Sequence, residues 1–338
     1  MIKLCKINPI DLDNYVREHH PEANFLQSAG WGKVYEIDGE KVFYFGLYDN
    51  EDLIGSAVVI LKKAKRGSYL EIPGGPLLDW DRDKRAVKAF MSEIRKVAEE
   101  EKCVFVRMRP NIPDDYDNQK IVQELGLVPS PMHLHAEHTV MLNLRLSEED
   151  LLKDMRRQTR YEVRRAQKLG IEVTFDTSKY AFTDFYNLQL ETAKRQGFIP
   201  SSRQFIEAQH EAFEGAARIY TASLNGKPLA KGLIIMQSPE AIYHEAASTE
   251  EGRKYPGAYA LQWQVIRDAK DLGMKRYNLF GIAPPNSPQH RYAGVTTFKT
   301  GFGGELVTYL PAQDLVIRPF RYKFVHMLEE ARKKHRHL

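Results

Sequence analysis

A lysine and two phenylalanines stand among four glycines in Gly294-Val295-Thr296-Thr297-Phe298-Lys299-Thr300-Gly301-Phe302-Gly303-Gly304. Glycine opens backbone conformations closed to other residues, so such a segment can bring a cation close to a ligand while the rings exclude water. The chemistry that fits is stabilisation of an anion formed during a reaction, with Lys299 as donor and Phe298 beside it. The same residues also describe a glycine-rich hairpin with a solvated lysine, and glycine spacing alone does not separate the two readings.

A second cluster is basic. Lys153, Arg156, Arg157, Arg160, Arg164, Arg165 and Lys168 fall on one helical stretch, interrupted by the acids Asp154 and Glu162. A surface of this kind can hold phosphates, although charged helix faces are also common where nothing binds. Arg332, Lys333, Lys334 and Arg336 add a basic C-terminal group. His133, His135 and His138 could be read as metal ligands, but no cysteine or carboxylate at ligand spacing joins them, so no metal is expected. Ser201 and Ser202 lie outside any Gly-x-Ser-x-Gly elbow, which disfavours a covalent mechanism. Arg253-Lys254-Tyr255-Pro256-Gly257-Ala258-Tyr259 sits between a strand and a helix, where backbone N–H groups hold anions. It is similar to the pyrophosphate loop of acetyltransferases that use acetyl-CoA, with bulky Tyr259 where close approach to phosphate needs a small residue.

These groups need a scaffold, and the chain is long enough for two domains of ordinary size at 338 residues. Apolar residues make up 43% and charged ones 28%, which excludes the disordered class. A net charge of +4 permits an anionic partner without demanding one. Two cysteines, Cys5 and Cys103, cannot form a disulfide framework, and an intracellular compartment is expected. No apolar window approaches the length of a membrane span or a signal peptide, so membrane contact is at most peripheral.

Periodicity predicts a helix over residues 9–20, meander strands over 42–47 and 57–61, a turn cluster at 72–76, a helix over 85–101 and a strand over 104–108. A strand over 138–144 then leads into a helix from the Ser147 cap to Leu169, with Gly170 at its end. Helices over 182–195 and 203–213 precede a hairpin turning at Asn225-Gly226, a strand over 242–247, a helix over 259–272 and a strand over 277–280. Each half reads as helices on a largely antiparallel sheet. No short-period repeat is visible.

Several segments together resemble the Fem-type peptidyltransferases, which add amino acids from aminoacyl-tRNA to peptidoglycan precursors. The residues are Gln27-Ser28 with Trp31-Gly32-Lys33-Val34, the run from Thr159 to Val173, and Tyr277 to Gly281 with Phe298-Lys299 and Phe302-Gly303. The resemblance implies an α/β chain of the α+β type: two acetyltransferase-like (GNAT-like) domains, residues 1–144 with 312–338 and residues 145–311, with mixed sheets and packed helices. It also implies a C-terminal helix after Arg318 that returns to the first domain, and a compact, single-addition enzyme. Lys299 and Phe298 become the catalytic pair. Lys33 and Arg203 become contacts for the precursor's phosphates, and Trp31, Tyr243 and Tyr259 further substrate contacts. Tyr35 stands where a second family lysine can occur, and Ser201 where an arginine can. Arg157, Arg160, Arg164 and Arg165 would face the tRNA. The expected protein is a cytoplasmic monomer that needs no cofactor, because the ester is already activated. Two rivals remain open: an acyltransferase of the same fold using acyl-CoA or another thioester, which has no need of the basic helix, and a non-catalytic RNA-binding protein, which has no need of Lys299.

Overall fold

Successive side chains of a strand point to opposite faces of a sheet, and in this chain helices cover both faces. The computed structural model describes residues 1–65 and 67–336, with side chains as far as Lys333. Met1–Glu137 and Thr308–Leu338 form one compact unit and His138–Val307 another.

The first unit begins with β1 (Ile2–Lys6), α1 (Pro9–His19) and α2 (Ala29–Ile37). The strands β2 (Lys41–Asp49), β3 (Asp52–Ala64) and β4 (Gly67–Gly74), the helix α3 (Lys84–Glu100), β5 (Phe105–Pro110), α4 (Tyr116–Glu124) and β6 (Val128–Pro129) follow. Phe43, Phe45, Ala57, Val59, Val106 and Met108 meet Phe90 and Ile94 of α3 in the main core. Their strand neighbours Tyr44 and Val58 turn the other way, onto Leu12 of α1. The second unit holds β7 (His138–Asn143), α5 (Glu148–Asp154), α6 (Arg157–Lys168), β8 (Glu172–Asp176), α7 (Lys179–Gln196), α8 (Arg203–Phe213), β9 (Ala217–Leu224), β10 (Lys227–Gln237) and β11 (Glu240–Ser248). It continues through α9 (Gly257–Asp271), β12 (Arg276–Asn278), α10 (Ala293–Thr300) and β13 (Glu305–Thr308), after which β14 (Gln313–Val316) and α11 (Pro319–Arg336) return to the first unit.

Strand order is β1-β2-β3-β4-β5-β14-β6 in one sheet and β13-β7-β12-β11-β10-β9-β8 in the other. The two halves repeat one plan. The series β1-α1-α2-β2-β3-β4-α3-β5 matches β8-α7-α8-β9-β10-β11-α9-β12 element for element, each an antiparallel meander ending in a parallel pair across a helix. The pairs differ in extent. β4 and β5 pair from Leu70↔Val106 through Gly74↔Pro110, whereas β11 and β12 pair only from Glu240↔Arg276 to Ile242↔Asn278.

The Asn225-Gly226 turn forms as expected, with positive φ at both residues (51° and 75°). Three expectations change. β7 pairs with β12 and so belongs to the second sheet, not to the first half. The helix expected from Ser147 to Leu169 is broken at Met155 and Arg156, whose ψ angles of 140° and 142° are extended. Arg160 closes the break by donating to the terminal carbonyls of α5 at Leu152 (3.1 Å) and Lys153 (3.2 Å). The turn cluster at 72–76 is the end of β4, because Ile72 to Gly74 pair with β5 and the chain turns only afterwards. No helix among the described residues is long and apolar enough to cross a membrane.

β14 lies between β5 and β6, and its Asp314, fully buried, anchors α11. Arg107 of β5 donates to both Asp314 oxygens at 2.8 Å and to Glu329 of α11 at 2.8 Å, while Tyr322 of α11 donates its hydroxyl to Asp314 at 2.9 Å. Removing one partner of a buried ion pair strands the other. Asp314→Ala is therefore expected to destabilise the first unit by about 3 to 5 kcal/mol in urea unfolding. A loss no larger than that of an exposed substitution would show that Glu329 alone suffices for Arg107.

Candidate functional site

Lys299 lies on helix α10, not in a hairpin, and is buried (8% exposed). Its Nζ donates to the carbonyl of Gly281 at 2.8 Å and lies 5.5 Å from the centre of the Tyr243 ring. Tyr243 is on β11, and Gly281 follows β12, so the ammonium sits where these two strands have parted. After α10 the chain turns through Gly303 and Gly304, both with positive φ (81° and 80°), and Gly304 N–H donates to Asp154 at 2.7 Å. A β-carbon on Gly303 would come within 2.2 Å of that carboxylate, so the two glycines are needed for both conformation and room.

Asn278 directs the parting. Its side-chain oxygen accepts from Thr139 of β7 at 2.5 Å and from the N–H of Phe280 at 2.8 Å, and its amide donates to Glu240 of β11 at 3.2 Å. Glu240 in turn receives Arg276 at 2.6 Å. Beyond Asn278 the backbone stays with β7, Leu279 N–H donating to Val140 at 2.9 Å and Ile282 N–H to His138 at 3.0 Å. Phe280 adopts a φ of 58° and leaves β11 behind. β11 meanwhile has a bulge: Ile234 of β10 faces Tyr243 and Leu233 faces Glu245, with His244 as the extra residue.

The opening is lined by titratable groups. Burial pulls the Lys299 ammonium down to about 7. A single carbonyl and an aromatic face do not replace the water that the ammonium loses. Burial, with the charge of Lys299, pushes His244 down to about 3, so its imidazole is neutral. Burial raises the Glu245 carboxyl, against hydrogen bonds from Gln189, Ser201 and Gln209. Ser201 donates to Glu245 at 3.2 Å, and Gln189 of α7 donates to its other oxygen. Tyr277 donates to Gln262 of α9 at 2.7 Å, behind Tyr243.

Of the residues expected from the sequence, Lys299 meets Tyr243, and Phe298 meets Tyr259. Tyr259 and Phe298 meet edge to face at 5.0 Å, and Phe298 meets Phe302 at 5.2 Å, forming an aromatic wall beside α10. Arg203 is on α8, and its guanidinium is engaged by Glu207 at 2.8 Å. Trp31 is 1% exposed and packs on Phe25 and Tyr35 in the first unit. Lys33, on α2, is exposed. On the basic helices, Arg160 caps α5, Lys153 pairs with Glu149 at 2.9 Å and Arg165 with Glu162 at 3.1 Å, and Arg156 donates to the Thr297 carbonyl at 2.8 Å, which leaves Arg157, Arg164 and Lys168 as exposed cations with neither an ion pair nor a side-chain hydrogen bond among the described residues. The side chains of Lys334 and Arg336 lie outside the described residues. His133 pairs with Glu137 at 2.8 Å, and among the described residues no group of three or more His, Cys, Asp or Glu is arranged to hold a metal.

His244, Glu245, Gln189 and Asn278 do not stand out in the sequence. The available signal is the His244-Glu245 pair inside an otherwise apolar strand, since polar residues in a buried strand need partners. Arg109 shows in the sequence only as the end of a strand. It is 1% exposed, with Nε and Nη1 lacking a hydrogen-bond partner among the described residues and the Tyr309 ring 5.2 Å away.

The sequence profile of the FemAB family matches residues 7–126, 131–227 and 225–330. Aminoacyltransferase FemA of Staphylococcus aureus (strain MW2) is 20% identical, over 86% of this chain and 90% of that protein. The crystal structure of FemX superposes with a TM-score of 0.84 at 17% identity, covering 96% of this chain and all of the other. A tandem GNAT protein from the clavulanic acid biosynthesis pathway superposes with a TM-score of 0.57 at 14% identity, covering 94% and 99%. The two GNAT-like units expected from the sequence are thus the observed architecture.

Lys299 has a thermodynamic signature. Its folded pKa of about 7 lies below the ordinary lysine value of 10.5, so between these values the unfolded chain binds more protons and stability rises with pH. The penalty is full below pH 7 and gone above pH 10.5. Lys299→Met is expected to raise Tm at pH 7, by about 2 to 4 °C for each kcal/mol relieved, and the gain should vanish as pH passes 10.5. Equal Tm values for the two proteins at pH 7 would mean that the ammonium is fully solvated by its surroundings.

Proposed function

The chain is a member of the FemAB family, and from that premise we propose that it is an aminoacyltransferase moving an amino acid from aminoacyl-tRNA to the peptide of a peptidoglycan precursor, as a step in interpeptide bridge formation. The observation that carries this reading is Lys299, a buried cation held by one carbonyl at the opening between two strands. The S. aureus relative named an aminoacyltransferase supports the same class of reaction.

The acceptor amine attacks the ester carbonyl of aminoacyl-tRNA, the carbonyl electron pair moves to oxygen, and a tetrahedral intermediate forms. Its collapse restores the carbonyl and breaks the ester C–O bond, and the tRNA hydroxyl leaves with the proton lost by the amine. Lys299 carries three N–H donors, one of them engaged by Gly281, so the others can meet the oxyanion. Negative charge there strengthens the hold on the lysine proton, offsetting the burial that weakens it. Burial of Lys299 against the Tyr243 ring keeps the surroundings poor in water, which enlarges the effect of the charge. Arg157 and Arg164 are exposed cations for tRNA phosphates, and Lys33 is the proposed contact for the precursor's phosphates. On this reading the enzyme works in the cytoplasm, where charged tRNA is found.

The decisive measurement is transfer from charged tRNA to a muropeptide acceptor. Lys299→Met is expected to lower kcat and kcat/KM alike by roughly a hundredfold or more with little change in substrate binding. The wild-type kcat/KM should fall on the alkaline side with a midpoint near 7, a limb that the variant lacks. A folded variant with full turnover would remove Lys299 from the reaction, and transfer from a thioester but not from charged tRNA would replace the donor.

The RNA surface has its own readout. Neutralising Arg157 and Arg164 together is expected to weaken tRNA binding and to flatten its salt dependence by about 0.7 to 0.9 in log–log slope for each phosphate that is no longer held. An unchanged slope would leave these arginines as solvated residues.

A further inference from the structure

Helix α11 has two apolar faces, and packing explains only one. Tyr322 and Val325 are buried against Val104 and Phe105 of the first unit, and Glu329, one turn on, is held by Arg107 at 2.8 Å. Phe320, Phe324 and Met327 occupy the opposite side of the helix. They recur at the spacing of one helical face and are 91%, 56% and 59% exposed. Exposed apolar residues are ordinary when scattered, but three large ones in a row, diametrically opposite the packed face, are an unpartnered surface.

Charge selects the partner. Arg321 and Lys323 flank the row, Arg318 precedes it, and Arg332 and Lys333 follow on the same helix; none of the five makes an ion pair among the described residues. The acids of the helix are Glu329, neutralised by Arg107, and Glu330. A second copy of the chain packed on this row would bring like cations together. An anionic surface with an apolar layer beneath it satisfies both the cations and the rings, as for helices that lie in the plane of a bilayer boundary.

We propose that α11 docks the first unit onto the anionic surface of a phospholipid bilayer, with Phe320, Phe324 and Met327 entering the headgroup boundary and Arg321 and Lys323 meeting lipid phosphates. The docking does not depend on the acyl-transfer reading, because no residue of the Lys299 site takes part. It is peripheral and reversible.

The test is flotation of the full chain with vesicles of phosphatidylcholine containing phosphatidylglycerol, against vesicles of phosphatidylcholine alone. The wild type is expected to float with the anionic vesicles at low salt and to be released as salt rises. Phe320→Ser combined with Phe324→Ser should reduce the partition by about tenfold or more at unchanged Tm. Arg321→Gln combined with Lys323→Gln should weaken anionic binding and flatten its salt dependence, without changing the weak partition to neutral vesicles. Failure of the wild type to float, or equal flotation of the serine variant, overturns the proposal. So does a wild-type dimer in sedimentation velocity that the serine pair converts to monomer while flotation stays the same, which would assign the row to a second copy of the chain.

Discussion

The side chain of Asn278 occupies the place where a parallel strand pair would otherwise continue. It accepts the N–H of Phe280, a backbone group that a longer ladder could have paired, while bonds to the side chains of Thr139 and Glu240 hold its amide in place. Backbone polar groups in a buried sheet must be paired, so two strands can separate in the interior only where side chains or a third strand take over their hydrogen bonds. Here β7 takes over on one side and the bulge at His244 relaxes the other. Everything assigned to the site depends on that separation: the carbonyl of Gly281 turns toward Lys299, the Tyr243 ring faces the ammonium, and Glu245 gathers amide and hydroxyl donors from α7 and the segment before α8.

The two halves of the chain put the same parallel pair to different uses. Both units have the same order of elements, and both contain a parallel pair bridged by a helix. In the first unit that pair remains closed through Gly74 and Pro110, and the polar residues near it serve packing: Arg107 ties β5 to β14 and α11. In the second unit the pair is open and a lysine fills the gap. The difference lies in a few hydrogen bonds at the end of a strand, not in the plan itself.

Most of the architecture was legible in the sequence, because strand alternation and helical period reflect burial directly. The Asn225-Gly226 turn, the helices α3, α7 and α8, and the meander at β2 and β3 all follow from such patterns. Short edge strands such as β1 and β8, and β14 within its sheet, carry too few residues for a period to show. The break between α5 and α6 was hidden because its cause is tertiary: Arg160 folds back on α5, and Asp154 is drawn toward Gly304. The glycine-rich segment revealed Lys299 but not the helix that carries it. His244 and Glu245 were hidden for a further reason. Their partners Gln189 and Ser201 come from elements far away in sequence, and a buried polar group announces its role only when its partners are known.

The return of β14 to a place inside the first sheet also orders the making of the protein. The second unit is continuous, from His138 to Val307, whereas the first is completed only by the last residues of the chain. During synthesis β5 and β6 leave the ribosome long before Gln313–Val316, the strand that must lie between them. The N-terminal half therefore waits with an unfilled strand position and Arg107 without Asp314, while the later half already has every element it needs to close its own sheet. Domains usually mature in the order in which they are translated. In this chain the half that emerges first can complete its sheet only after the second half has been made, because β14 follows that half in the sequence.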